Sequence, residues 1–256
     1  PPLGALPPTT DWDSLMYHLE VPGEFLKPGR ILVPEDNLHV AFVGLWHMLY
    51  LPFLVIGSSI APALLNAACA LLLGIAVLVI GARLFDRSSA VLAFIALWGS
   101  SGIILVSAAP RIDVVLAYCL LLVTYVLISA AEERRPEKLV TAAMLAGVAL
   151  GMKYHALLFL AALLPVAVWA VSRASAKNSE RLRRLGWCAL VAILTALPWL
   201  VKNWLLLGAP LYPLLAERLL SPWLAELSGG SNLPAGVPPE ASPWTAAVSW
   251  ELRRIR

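Results

Sequence analysis

The segment DWDSLMYHLEVP sets two carboxylates, Asp11 and Asp13, just ahead of Tyr17 and His18. On a helix Asp13 and Tyr17 are four positions apart and share one face, with His18 beside them. A carboxylate at a membrane boundary can act as a general base, taking a proton from an acceptor hydroxyl. The competing role is a helix cap, open to Asp11 and Asp13 alike. Asp113 follows Pro110 and Arg111 at the start of an apolar run. A charge deep in lipid costs about 2.5–3.5 kcal/mol even on the lenient insertion scale, so such groups usually face protein or water. Asp113 therefore reads as a second functional carboxylate, as an ion-pair partner of Arg111, or as a first-turn acid favoured by the helix dipole. Lys153, followed by Tyr154, lies between two apolar runs. It can bind a phosphate as a point charge or snorkel to the interface. Lys202, between Trp199 and Trp204, has the same two readings, a site lysine or an interface anchor.

These residues need elements to hold them, and the hydrophobic pattern supplies about six. A spanning helix takes about 20 apolar residues to cross roughly 30 Å of hydrocarbon. Runs over 60–84, 90–108, 112–131, 139–151, 156–171 and 186–206 approach or meet that length. One set of loops carries Arg83 and Arg87, then Arg134, Arg135 and Lys138, then Arg173, Lys177, Arg181, Arg183 and Arg184. Short loops rich in Lys and Arg stay cytoplasmic, so this set is expected inside. The other set, with Asp11, Asp13, His18, Asp113, Lys153 and Lys202, is then expected outside. A continuous helix from Lys138 to Arg173 would put its two basic ends on opposite sides, so a tight turn at Gly151 is expected instead.

Three regions follow: an outer loop with interfacial helices over 1–57, a transmembrane bundle over 58–210, and a further outer segment over 211–256. Within the first, the stretch His39 to Ile56, with Trp46, His47 and Tyr50, suits an amphipathic helix at the interface. The last is rich in Trp, Gly and Pro. The opening at Pro1, in a polar segment with no signal-peptide pattern, implies a fragment with at least one preceding helix.

Composition sets the class. Sixty per cent of residues are hydrophobic and 14% charged, where a soluble domain carries about a quarter charged; mean hydropathy is +0.79. The net charge of +3 is modest and resides in the basic loops, which points to membrane topology and away from nucleic acid. Cys69, Cys119 and Cys188 each lie in an apolar run and read as small buried side chains, with no disulfide framework. The expectation is an all-α, polytopic membrane protein whose outward carboxylates and lysines suit a phosphate-linked lipid.

The segment DWDSLMYHLEVPGEFLKPGRI, followed by HVAFVGLWHMLYL, resembles the first outer loop of bacterial GT-C glycosyltransferases, relatives of protein O-mannosyltransferases and of the lipid A aminoarabinose transferase. Asp13 and Tyr17 are similar to that family's D-E-x-x-Y, in which the Asp is the catalytic carboxylate; Ser14 stands where the Glu usually does. RIDVVLA resembles the family's second outer acidic position, here Asp113. GVALGMKYHALL resembles its Gly-rich stretch ending in a Lys, and PWLVKNWLLLGAPLYPLL its PW-x-x-x-N segment.

The resemblance implies a GT-C helix bundle in the plasma membrane. It implies transfer of a sugar from a polyprenyl-phosphate donor to a lipid, glycan or protein acceptor on the extracytoplasmic face. Asp13 and Asp113 would be catalytic; Tyr17, His18, Arg111, Lys153, Tyr154 and Lys202 would contact substrate. Some relatives use a divalent metal, for which His18, His39 or Asp113 could supply ligands, although no ligand spacing argues for one. Two other classes remain. A polysaccharide polymerase or ligase would carry arginine-rich outer loops, and a transporter or flippase would place its charges at mid-membrane in broken helices.

Overall fold

The computed structural model describes residues 5–6, 9–31, 38–175, 177–207 and 210–212. The chain forms two compact units, Pro1–Val201 and Lys202–Arg256, with the boundary inside the last helix. The Trp-rich segment beyond Tyr212, and the stretch 32–37, lie outside the described residues.

The described residues are helical, with no strand among them. A wide π-helical turn, Ser14–His18, leads into α1 (Glu20–Leu26). Two 3₁₀ turns, Leu38–Ala41 and Trp46–Tyr50, precede α2 (Leu51–Val55). The bundle follows: α3 (Ile60–Leu84), α4 (Arg87–Gly99), α5 (Ser101–Ala108), α6 (Asp113–Glu132), α7 (Glu137–Met152), α8 (Ala156–Ala162), α9 (Leu164–Ala174) and α10 (Asn178–Leu207).

Among the described residues three helices, α3, α6 and α10, are long and apolar enough to cross a membrane, or five spans result if α4–α5 and α8–α9 each count as one. All six apolar runs are helical; α7, with 16 residues, is short for a full crossing by length, as its run in the sequence is. The two composite spans bend by 66° and 51°. Both bends have local causes. Ser100, between Gly99 and the next helix, takes an extended backbone. Pro165 sits in the first turn of α9 and has no N–H to continue the ladder from α8.

Alternation of direction is visible in the contacts. At one end Arg83, closing α3, donates to Glu133 Oε1 beyond α6 (3.1 Å), and Lys138 at the start of α7 donates to the same oxygen (2.7 Å). Arg135 also approaches Glu133, at 3.7 Å. At the other end Asn66, on the first turns of α3, donates to the carbonyls of Val106 and Ala109 that close α5 (2.8 and 2.6 Å). Val171 near the end of α9 packs with Leu127 and Ala131 of α6 and Leu139 of α7. The basic ends of α7 and α9 thus share one end of the bundle. The sharp turn that this requires is present, but at Lys153–His155 and not at Gly151.

Gly151 stays within α7, and its bare Cα lets Leu45 approach closely. Leu45 N–H donates to its carbonyl (2.9 Å), and a Cβ there would stand 3.2 Å from the Leu45 side chain. Lys153 ends α7 in an extended conformation.

The interior of α3 is built from small residues, with Ala63, Ala67 and Ala70 buried. Its opposite face leaves Leu71, Leu72, Ile75 and Val79 exposed, as expected of a helix solvated by lipid chains. Cys69 and Cys119 are buried and Cys188 partly so, all as free thiols.

The stretch from His39 to Ile56 departs from expectation. It is not one amphipathic helix but two 3₁₀ turns and α2, with a break over 42–45 around Gly44. The break lets it drape over the bundle end. Besides the Leu45–Gly151 bond, the fully buried Tyr50 reaches the Arg111 carbonyl (3.4 Å).

Candidate active site

The site collects at the bundle end where α6 begins and α7 stops. Asp113 is in the first turn of α6, where the helix dipole favours an acid. Lys153, on the turn after α7, donates Nζ to Asp113 Oδ1 at 2.8 Å. Arg111, immediately before α6, faces the other way. Its Nε donates to Asp11 Oδ2 (2.9 Å), its Nη2 pairs with Asp11 Oδ1, and its Nη1 lies 3.1 Å from Asp13 Oδ2. The Arg111–Asp113 pair considered from sequence is replaced by these two separate pairings. A guanidinium fork suits bidentate binding of Asp11, while a lysine serves as a point charge for Asp113.

Asp11 and Asp13 are told apart by what they touch. Asp11 Oδ2 accepts from both Ser14 N–H (3.0 Å) and Ser14 Oγ (2.6 Å), so Asp11 caps the π turn. Asp13 occupies the N-cap position but its side chain makes no capping bond. Burial would raise the Asp11 carboxyl, but the bonds from Arg111 and Ser14 outweigh it and hold the group below its ordinary value. The Asp13 side chain is also the more exposed, at 35% against 23%.

The turn itself is wide. Leu19 N–H bonds to Ser14 carbonyl five residues back (2.9 Å), a geometry frequent at functional sites. Tyr17 and His18 both sit on it. Burial, and then the charges of Asp13 and Asp113, push the Tyr17 phenol up, so it stays a neutral hydrogen-bond donor. The Tyr17 ring lies 4.0 Å from His18 and stacks on His39 at 5.5 Å, with an interplanar angle of 14°.

His18 is fully buried. Its Nδ1 is 2.6 Å from Nε2 of His47, a residue that the sequence placed only in an interfacial stretch. Burial first, then His47, Lys153 and Arg111, push the His18 imidazole down to about 2, so it is neutral at any physiological pH. The ring of His47 seats against Gly44, where a Cβ would lie 2.9 Å from Nδ1. His18 Nε2 is buried with no hydrogen-bond partner among the described residues. Leaving such a nitrogen unsatisfied costs about 1–3 kcal/mol.

Tyr154 follows Lys153 in the turn and is partly buried. Lys202 lies on α10, buried, and belongs to the second unit. No three His, Cys, Asp or Glu side chains converge as a metal site among the described residues. Of the donors considered from sequence, His18 Nδ1 meets His47, His39 stacks on the Tyr17 ring and Asp113 pairs with Lys153.

Residues 39–201 match the family described as dolichyl-phosphate-mannose-protein mannosyltransferase. The chain belongs to this family. It is accordingly a membrane glycosyltransferase of the GT-C type, as the resemblance of its motifs implied. No curated protein and no solved structure matches it significantly. The mannosyltransferase-family match contains His39, His47, Arg111, Asp113, Lys153 and Tyr154. Asp11, Asp13, Tyr17 and His18 precede it, and geometry alone joins them to the family's segment, through Arg111 and His47.

Proposed function

We propose that this glycosyltransferase moves a sugar from a polyprenyl-phosphate donor to a hydroxyl of a lipid, glycan or protein acceptor, at the outer face of the plasma membrane. The observation that carries the reading is the meeting of Asp13 with Arg111, Asp113 and Lys153 at one bundle end. Asp13 is the base. Its carboxylate takes the acceptor's hydroxyl proton as that oxygen bonds to the anomeric carbon. The bond from that carbon to the phosphate oxygen breaks, and the lipid phosphate leaves with the electron pair.

Charge limits how phosphate can enter. Asp11, Asp13 and Asp113 outnumber Arg111 and Lys153, so an arriving phosphate has to take a cation from a carboxylate. Lys153 contacts one carboxylate and Arg111 two, so Lys153 is the easier to transfer. Asp113 then serves as its resting partner, and the Tyr17 phenol adds a neutral donor.

The test compares two carboxylates two residues apart, in the full-length enzyme with a polyprenyl-phosphate sugar. Asp13→Asn should lower transfer by about 10²–10⁴, the usual worth of a general base, with melting nearly unchanged. Asp11→Asn keeps a capping oxygen and should retain transfer within about tenfold of wild type, since Asn caps as well as Asp. Equal activity in both variants, or loss only with Asp11→Asn, places the base wrongly.

A further inference from the structure

We infer that His18 and His47 together form a neutral hydrogen-bond anchor for a hydroxyl of the transferred sugar, with His18 Nε2 making the contact and His47 holding the ring. The inference rests on the donor reading above and extends it to the sugar. The pair bridges two segments, 29 positions apart, whose contact the fold enforces. His18 sits on the π turn that also carries Tyr17, and His47 sits on the 3₁₀ turn that Leu45 and Tyr50 tie down to Gly151 and Arg111.

The chemistry selects the ligand. One nitrogen of His18 is committed to His47 at 2.6 Å, and the other is buried without a partner among the described residues. Protonation of this ring is opposed by burial and by His47, Lys153 and Arg111. It cannot offer the positive charge that a phosphate wants. It offers one neutral N–H or one lone pair, depending on which way the proton between the two rings lies. A hydroxyl can donate or accept, so it fits either tautomer. A sugar carries several, and the phosphate that bears it has Lys153 and Arg111 close by. His47 acts through His18 and is a positioning residue: its Nε2 sets the tautomer, and therefore whether His18 Nε2 donates or accepts.

The test uses the full chain in nanodiscs, with undecaprenyl phosphate and a panel of undecaprenyl-phosphate hexoses as binding probes. Wild type should hold at least one sugar-bearing probe more tightly than the bare lipid phosphate. His18→Asn keeps a group facing His47 and drops the one at Nε2. It should lose about three- to tenfold for that sugar-bearing probe, the worth of one neutral hydrogen bond, with bare lipid phosphate unchanged. His18→Gln, which can place its amide near the Nε2 position, should recover most of the difference. His47→Phe should lose it, and nitrogen NMR of His18 should report a changed tautomer ratio.

Equal weakening of both probes would make the pair a folding element and overturn the inference. No change in either would mean that Nε2 holds only a water, and would overturn it too. So would a wild type that binds all the probes alike. A wild type that binds none of the lipid phosphates would sink the donor reading itself.

Discussion

Lys153 Nζ lies 2.8 Å from Asp113 Oδ1, across 40 positions and from the end of one helix to the start of another. The pair is half open to solvent, so it holds the lysine in place without locking it there. Removing Lys153 both deletes a cation and leaves Asp113 unpaired. Lys153→Ala should therefore raise the KM for the lipid-phosphate donor by about tenfold or more. Lys153→Ala with Asp113→Asn should fold as well as wild type and remain poor in donor use. If donor affinity in the single variant is unchanged, Lys153 is an anchor and nothing more.

The face assignment is open to labelling. Ser179 is exposed in the first turn of α10, at the basic end. Ser14 is fully buried, which makes it a poor probe; its neighbour Leu15 is 50% exposed. With the native cysteines replaced, Cys at Ser179 should react with an impermeant thiol reagent only from the cytoplasm, and Cys at Leu15 only from outside. Reaction of both from one side contradicts the proposed topology.

Acid should destabilise the fold through His18. Its folded value is depressed to about 2, whereas an unfolded histidine titrates near 6.5. Below that the unfolded chain binds a proton that the native ring refuses, so stability is present above about pH 6.5 and is lost as pH falls. Asp11, also depressed, adds a second loss only below the ordinary carboxylate range near 3.9. The melting temperature of wild type should fall more steeply from pH 7 to pH 5 than that of His18→Gln. Parallel curves would show that His18 is not held neutral.

Glu133 joins three helices at the opposite end, and Lys138, Ser129 and Arg83 hold its carboxyl down to about 2. Its contribution is present above the ordinary glutamate range and lost as pH falls toward 2. The cluster is open to solvent and salt screens it. Glu133→Gln should lower the melting temperature by about a degree or two at low ionic strength. The difference should shrink in 0.5 M salt, with transfer unaffected. A loss of transfer would show that this end also shapes the site.

Much of the architecture was legible in the chain because it depends on local properties. Helix ends near Leu84 and Glu132 follow from the length of apolar runs and the charges that stop them, and the end at Ala108 from the break at Ala109–Pro110. The family was legible from short motifs, and residues 39–201 bear it out. The turn near Lys153 followed from the charge rule, though its position did not, since the close approach of Leu45 to Gly151 is a contact between distant segments.

The pairings within the site belong to the tertiary structure. Sequence spacing makes Arg111 and Asp113 natural partners, yet the fold gives Arg111 to Asp11 and Asp13, and Asp113 to Lys153. Which charges meet depends on how the π turn docks against the start of α6, and a separation of 100 positions carries no local signal of that. The role of His47 was hidden for the same reason. Trp, His and Tyr at that spacing suit an interface, and only the fold sets the His47 ring against Gly44 and onto His18. The residue types and their side of the chain come from composition, whereas the partner of each charge is set by helix packing.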